Sequence, residues 1–286
     1  MMLADRLRQA TDQLAGVSDT PRLDAELLLA HALEISRDAL LLGAANGRRV
    51  PEAFEGLIAR RLAHEPIAYI LGERDFWTLS LNVGPGVLIP RPDSETLIEA
   101  AIAFFKDRQT SPRSILDLGT GSGALLLAAL DHWRQAFGLG IDQSEVALGY
   151  ARSNAVRNNM ADRVEFRLGN WCEGVEHRFD LILCNPPYVE SDAVLSPQVH
   201  AFEPASALFA GPDGLDDYRM LIPQLSARLN DGGAAVLEIG AGQAADVTAI
   251  AQAAGFEVQA RKDLAGHDRA LVLSPVLFSC KDRVIG

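Results

Sequence analysis

Asn185-Pro186-Pro187-Tyr188 follows the apolar run Leu181-Ile182-Leu183-Cys184, which puts a primary amide on a rigid turn at the end of a buried strand. Two successive prolines remove two backbone donors and hold φ near about −65°, and a residue preceding proline is pushed to an extended conformation. The Asn185 side-chain oxygen and the Pro186 carbonyl can then stand as paired acceptors. Such a pair suits a substrate NH2 group, whose two hydrogens meet both oxygens while the nitrogen faces a donor group.

A second motif lies upstream. Asp117-Leu118-Gly119-Thr120-Gly121-Ser122-Gly123-Ala124 joins a short apolar strand to a helix, a place where glycines let the backbone approach a ligand closely. Its amides and the helix start suit a carboxylate or a phosphate alike, so Gly119, Thr120, Gly121, Ser122 and Gly123 fit a nicotinamide cofactor as well as S-adenosylmethionine. The loop lacks the Lys-Ser or Lys-Thr of a P-loop, and its serine is not spaced as the nucleophile of a G-x-S-x-G elbow. Asp142 ends the next strand about twenty residues on, where a carboxylate can accept both ribose hydroxyls or cap the helix starting at Ser144. Asn170-Trp171 ends the third strand; the amide can meet an adenine edge while the indole covers its face or simply packs. All these positions fall at carboxyl ends of strands, where open α/β sheets bind ligands.

From Ser114 onward, short apolar strands alternate with amphipathic helices, the pattern of a parallel α/β sheet. Strands are expected at 115–118, 137–141, 164–168, 181–184, 234–239, 256–260 and 270–273, with crossover helices such as 145–156 and 244–254. The first part of the chain differs. Residues 1–73 lack strand patterning and read as a small helical domain, with Leu23, Ala25, Leu27, Leu28, Leu29 and Leu33 after Pro21 and Phe54, Leu57 and Ile58 after Pro51 as bundle packing. Residues 74–92 read as a hairpin linker, and 93–286 as the second domain. Within Leu88-Ile89-Pro90-Arg91-Pro92-Asp93-Ser94-Glu95, the prolines fix an extended approach and Asp93 or Ser94 is placed to cap a helix beginning near Glu95. The tail 274–286 carries no clear role.

Composition narrows the classes. Of 286 residues, 48% are hydrophobic and 22% charged, the mixture of a folded chain. No apolar stretch reaches the roughly 18 to 20 residues of a spanning helix, and the start turns polar before a signal-peptide core forms, so the expected compartment is the cytoplasm, without a membrane. Cys172, Cys184 and Cys280 show no ligand spacing and read as reduced thiols; no histidine cluster suggests a metal. A net charge of −12 speaks against a broad grip on nucleic acid. Arg60-Arg61 reads as a solvated helix face.

With the loop, Asp142 and Asn-Pro-Pro-Tyr in this order, the chain resembles the class I S-adenosylmethionine-dependent methyltransferases that act on planar nitrogen. That tetrad is shared by enzymes methylating adenine N6, guanine N2 and glutamine N5. Phe76-Trp77, the segment from Leu88 to Glu95, Phe202-Glu203-Pro204 and the helical leader together resemble the HemK/PrmC family, the N5-glutamine methyltransferases of peptide chain release factors. The sibling family acting on a large-subunit ribosomal protein shares the tetrad but not Arg91-Pro92-Asp93-Ser94-Glu95.

The resemblance implies a Rossmann-like, seven-stranded, mostly parallel sheet behind a small helical domain that recognises the substrate. It implies S-adenosyl-L-methionine held by Gly119 to Gly123, Asp142, Trp171 and Asn185, with S-adenosyl-L-homocysteine as product. Asn185, Pro186, Pro187 and Tyr188 would receive the glutamine of the Gly-Gly-Gln loop of class 1 release factors, with Tyr188 packed beside the amide plane. Asn170 stands where relatives often carry an acid, and Ser94 where threonine is more usual. No direct nucleic-acid partner is expected, and a monomer is.

Overall fold

The computed structural model describes residues 3–276, and the chain divides into two compact units. The smaller takes in the chain up to Glu73 with Val83–Pro85 and Leu195–Glu203; the larger takes in Arg74–Asn82, Gly86–Val194 and the chain from Pro204 onward. No helix among the described residues is long and apolar enough to cross a membrane.

The smaller unit opens with α1 (Leu3–Leu14), α2 (Pro21–Ala32), α3 (Arg37–Leu41), α4 (Ala53–Leu62) and α5 (Ile67–Leu71). Leu7, Ala10 and Leu14 recur at helical spacing on α1 and share a core with Leu28 and Leu29 of α2 and Phe54 and Ile58 of α4. Pro21 begins α2, where a missing N–H costs nothing. Gly72, at φ 78°, ends α5 in the left-handed region that glycine enters without strain.

Arg60 and Arg61 do not share a solvated face. Arg60 stays exposed beside Glu65, but Arg61 is 4% exposed and its Nε donates to Asp24 Oδ2 at 2.8 Å. Adjacent residues on a helix point about 100° apart, so one can face the core while its neighbour meets water, and a buried guanidinium then needs a carboxylate.

The chain continues through a hairpin, β1 (Glu73–Phe76) and β2 (Leu79–Asn82), then α6 (Glu95–Asp107), β3 (Ser114–Leu118), α7 (Ala124–His132), β4 (Phe137–Asp142), α8 (Glu145–Arg157), β5 (Val164–Leu168) and β6 (Phe179–Cys184). It ends with α9 (Pro197–Phe202), α10 (Asp216–Leu225), β7 (Leu229–Glu238), α11 (Ala244–Ala253), β8 (Phe256–Lys262) and β9 (Asp268–Pro275). The main sheet has seven strands in the order β5-β4-β3-β6-β7-β9-β8. It is parallel from β5 through β7, while β9 runs antiparallel to both β7 and β8.

Side chains along β6 alternate between two cores. Leu181 and Leu183 pack with α6 and α7 residues such as Leu97 and Leu126, whereas Ile182 and Cys184 pack with Tyr218 and Leu221 of α10 and Val247 of α11. The period of two buries both sheet faces, which is why these strands read as unbroken apolar runs.

All seven expected strands are present, and β7 and β9 extend furthest beyond their apolar runs. β7 begins at Leu229 and passes through Asn230-Asp231-Gly232-Gly233, residues of turn type, and its register against β6 shifts between Phe179 and Leu181. β9 extends to Pro275, which pairs with Phe256, so the start of the supposed tail is strand. Cys280 and the tail beyond Val276 lie outside the described residues.

Candidate active site

Leu118 stands opposite Cys184 in the β3–β6 pairing, so Gly119 and Asn185 leave the sheet side by side. β3 is the strand at which chain order reverses, with β4 on one side and β6 on the other, the place where open α/β sheets hold ligands. A cavity of about 380 Å³ opens there. Of the residues singled out in sequence, Gly119, Thr120, Gly121, Ser122, Asp142, Asn170, Trp171, Asn185 and Pro187 line it. Gly123 does not; it is the N-cap of α7 at φ 82°. Pro186 is buried, and Tyr188 lines a small pocket with Asn185 and Arg91.

The loop's amides point inward. Gly119 N and Thr120 N both donate to Ile141 O at 2.9 Å, Gly121 N donates to Asp142 Oδ2 at 2.8 Å, and Gly123 N donates to Thr120 O at 2.8 Å. The expectation that the loop's amides grip a carboxylate or phosphate is corrected for these four, which are spent on holding the loop together and against β4. What the glycines give is backbone freedom, since Gly119 (71°) and Gly121 (56°) adopt left-handed φ values. A Cβ on Gly119 would make only ordinary contact, 3.6 Å from the Trp171 ring and 4.0 Å from Asn185 O.

Asp142 is not the cap of α8. Ser144 caps it, its Oγ accepting from Ala147 N at 3.2 Å, while Asp142 Oδ1 accepts from Ser144 N at 2.8 Å. Burial pushes the Asp142 carboxyl up in pKa, against the amides of Ser144, Gly121 and Gln143 that favour its charge. Asp117, beneath the loop, is 1% exposed. Burial raises its pKa to about 7, although Thr120 Oγ1 donates to its Oδ2 at 2.6 Å. Its other oxygen, Oδ1, has no hydrogen-bond partner among the described residues.

Ser94 does not cap α6 with its side chain. A short 3-10 turn, Pro92–Ser94, runs straight into the helix, so Ser94 already has helical φ and ψ and its hydroxyl is released for another use. That hydroxyl accepts from Asn185 Nδ2 at 3.3 Å, which turns Asn185 Oδ1 to the opposite side of the amide. It also faces the carboxyl of Glu238, the last residue of β7. Tyr188 likewise turns its hydroxyl to this group, donating to Glu238 Oε1 at 3.2 Å. The Tyr188 ring is thus anchored at its tip from behind the turn.

Glu238 is 1% exposed, and burial pushes its pKa up against the pull of Ser94, Arg269 and Tyr188. Its Oε2 has no hydrogen-bond partner among the described residues, a state that costs about 1–3 kcal/mol for a buried polar group. Two further residues brace the site. Gln243 Nε2 donates to Tyr188 O at 3.0 Å. Asn154, fully buried, accepts from Asn82 N at 2.6 Å and donates to Ser122 O at 2.9 Å, joining the hairpin to the glycine loop. Glu238, Gln243 and Asn154 were not singled out in sequence. Only Glu238 leaves a trace there, as a lone acid within the apolar stretch Ala234-Ala235-Val236-Leu237-Glu238-Ile239.

Residues 5–72 match the family model of the PrmC N-terminal domain, and residues 96–214 match that of the methyltransferase small domain. The release factor glutamine methyltransferase of Rhodospirillum rubrum is 44% identical over 267 residues, covering 91% of this chain and 80% of that one. Its counterpart in Bradyrhizobium diazoefficiens is 43% identical over 278 residues, covering 94% and 91%. The chain belongs to the release factor glutamine methyltransferase family. The resemblance carried by Phe76-Trp77, the segment from Leu88 to Glu95 and the tetrad is borne out. Among solved structures, a methyltransferase from Pyrococcus furiosus shares the fold with a TM-score of 0.50 at 22% identity, over 75% of this chain and 95% of that one. A 16S rRNA methyltransferase of T. Thermophilus does so at 0.53 and 19%, over 71% and 49%. These two likenesses speak for the class I sheet alone.

Proposed function

We propose that this chain transfers a methyl group from S-adenosyl-L-methionine to the side-chain amide N5 of the glutamine in the Gly-Gly-Gln motif of class 1 peptide chain release factors. The family's named activity supports the substrate. The observation that carries the chemistry is the orientation of Asn185, whose Nδ2 is held by Ser94 beside the cavity that Asn185 lines.

An adenosyl cofactor fits the donor set. With the Gly119, Thr120, Gly121 and Gly123 amides turned inward, most of the loop is not left to cradle a dinucleotide's pyrophosphate. Asp142 offers a carboxylate for ribose hydroxyls, and Trp171 and Asn170 stand at the same rim. When bound, S-adenosylmethionine supplies an electrophilic methyl on a cationic sulfur. The chain's part is orientation. An amide nitrogen is a poor nucleophile because its lone pair is delocalised into the carbonyl. Asn185 Oδ1 and Pro186 O accept its two hydrogens and fix its plane, and Tyr188 limits its rotation. Good orientation can contribute about 7–11 kcal/mol in favourable cases, so no strong base is needed before attack; the methylated nitrogen is acidic enough to lose its extra proton to a neighbouring carbonyl or water. The helical unit serves recognition of the substrate protein, since its ionisable groups are largely paired with one another.

The test is direct. The protein is incubated with labelled S-adenosylmethionine and purified release factor, and the label is mapped by mass spectrometry. Label on the Gly-Gly-Gln glutamine is expected; label only on ribosomal protein or nucleic acid overturns the reading.

A further inference from the structure

We infer that Glu238 is a positioning residue for methyl transfer, fixing which end of the Asn185 amide meets the substrate by taking the proton of Ser94. The inference rests on the reading of Asn185 Oδ1 as an acceptor for the substrate amide, and it concerns what makes that reading possible.

A primary amide has two ends of nearly equal size, one a donor and one an acceptor. Flipped, Asn185 would offer NH2 to a substrate NH2, and the two donors would repel. The neighbour that decides between the two states is Ser94 Oγ, 3.3 Å from Asn185 Nδ2. A hydroxyl by itself is an ambiguous lock, because it can accept from Nδ2 or, after a flip, donate to Oδ1.

Glu238 removes the ambiguity. In its ionised form Glu238 can only accept, so the Ser94 hydroxyl facing it donates there and the Ser94 oxygen is left to accept from Asn185 at 3.3 Å. The polarity of the chain Glu238, Ser94, Asn185 is then set end to end, with Oδ1 as its outlet. The same carboxylate takes the Tyr188 hydroxyl proton at 3.2 Å. One buried group therefore orients the first and last residues of the Asn-Pro-Pro-Tyr turn.

A purely structural role fits the surroundings less well. The sheet positions just before Glu238, Val236 and Leu237, are apolar and fully buried, and packing alone would be served by another such residue. Instead the chain keeps a carboxylate that is 1% exposed, with Oε2 lacking a partner, at the one strand end that reaches behind the turn. Strain of this kind gathers where function requires it.

The test uses E238Q, S94A and S94T, each assayed for kcat and KM on purified release factor and for cofactor Kd by equilibrium binding. E238Q brings a donor into a cluster that needs an acceptor, and S94A removes the lock. Both are expected to lower kcat by roughly 10- to 100-fold, the scale of small misplacements at a reacting centre, with cofactor Kd changed less than about twofold. S94T retains a hydroxyl and is expected to recover most of what S94A loses. The inference is overturned if E238Q matches the wild type in kcat, if S94T is as impaired as S94A, or if kcat and cofactor affinity fall together. Should the wild-type chain label no glutamine, the reading of the site falls and takes this inference with it. Should it label glutamine and E238Q do so equally fast, the inference alone falls.

Discussion

The two units differ in how much of their buried charge is paired. In the five N-terminal helices the buried charged side chains are paired: Arg61 with Asp24, Arg6 with Glu55, and Glu26 with both Arg22 and Arg37. Arg22 and Arg37 overcome burial to hold Glu26 below the usual carboxylate range, and the Arg6 hydrogen bond does the same for Glu55. In the sheet unit Asp263 is likewise paired, with Arg269, but burial pushes Asp117, Asp142 and Glu238 upward. The four buried side-chain atoms without a hydrogen-bond partner among the described residues, on Arg74, Asp117, Arg228 and Glu238, all belong to the sheet unit. Satisfied charges mark a region built to hold its shape. Two of the unsatisfied ones, on Asp117 beneath the glycine loop and on Glu238 beside Ser94 and Tyr188, mark a region built to meet something else.

The strongest way to break this contrast is Asp24→Ala. Stranding Arg61 should cost about 3–5 kcal/mol, whereas replacing both partners by apolar residues should be close to neutral. Urea unfolding measures both, and cofactor affinity should survive; its loss with Asp24 would mean that the two units do not divide the work as described. Next comes Asn185→Ala, expected to lower kcat by roughly 10²–10³-fold, as loss of one oriented polar group at a reacting centre does, and to lower cofactor affinity far less. Equal losses in single-turnover and equilibrium-binding measurements would count against its role as amide acceptor.

Asp117→Asn should stabilise the protein, with a pH signature. Because the folded pKa of about 7 lies above the ordinary carboxylate value, the native state holds a proton that the unfolded chain gives up. The wild type therefore loses stability as pH rises from about 4 to about 7, and the variant does not. Its advantage should grow across that window to something on the order of 2–4 kcal/mol and stay flat above it. Thermal melts at several pH values decide this. The smallest effect is expected from Arg22→Ala. Glu26 keeps Arg37, and Arg22 is half exposed, so the loss should stay under about 1 kcal/mol at neutral pH. The sign is reversed here: a lowered folded pKa gives stability that is present above the ordinary value and disappears as Glu26 is protonated in acid. Parallel pH slopes for the Asp117 and Arg22 variants would erase the distinction between the units.

Most of the fold was legible because both sheet faces are buried, so the strands announce themselves as apolar runs. Boundaries were less legible where pairing overrode composition: Asn230 to Gly233 reads as a turn but continues β7 because β6 supplies partners. The ligand-facing half of the site was also legible, since glycines, Asp142 and the double proline each have a local reason to be there. The supporting half was not. Ser94 looked like a helix cap because its true partners, Asn185 and Glu238, lie 91 and about 144 positions away in sequence, and no local pattern encodes contacts of that range. Arg61 escaped for the same reason, its ion pair with Asp24 spanning 37 positions.

The pairing of Leu118 with Cys184 has a bearing on how such a chain can vary over time. A residue inserted into or deleted from either strand would slide Asn185 past the glycine loop by about 3.3 Å and exchange the two faces of that strand. Substitutions can be absorbed one at a time, but changes in length cannot. The connections at the opposite end of the sheet, away from the ligand, are free to lengthen or shorten. Between relatives, then, gaps should accumulate before β3 and before β6, and be rare in the stretch from each strand to the motif it carries.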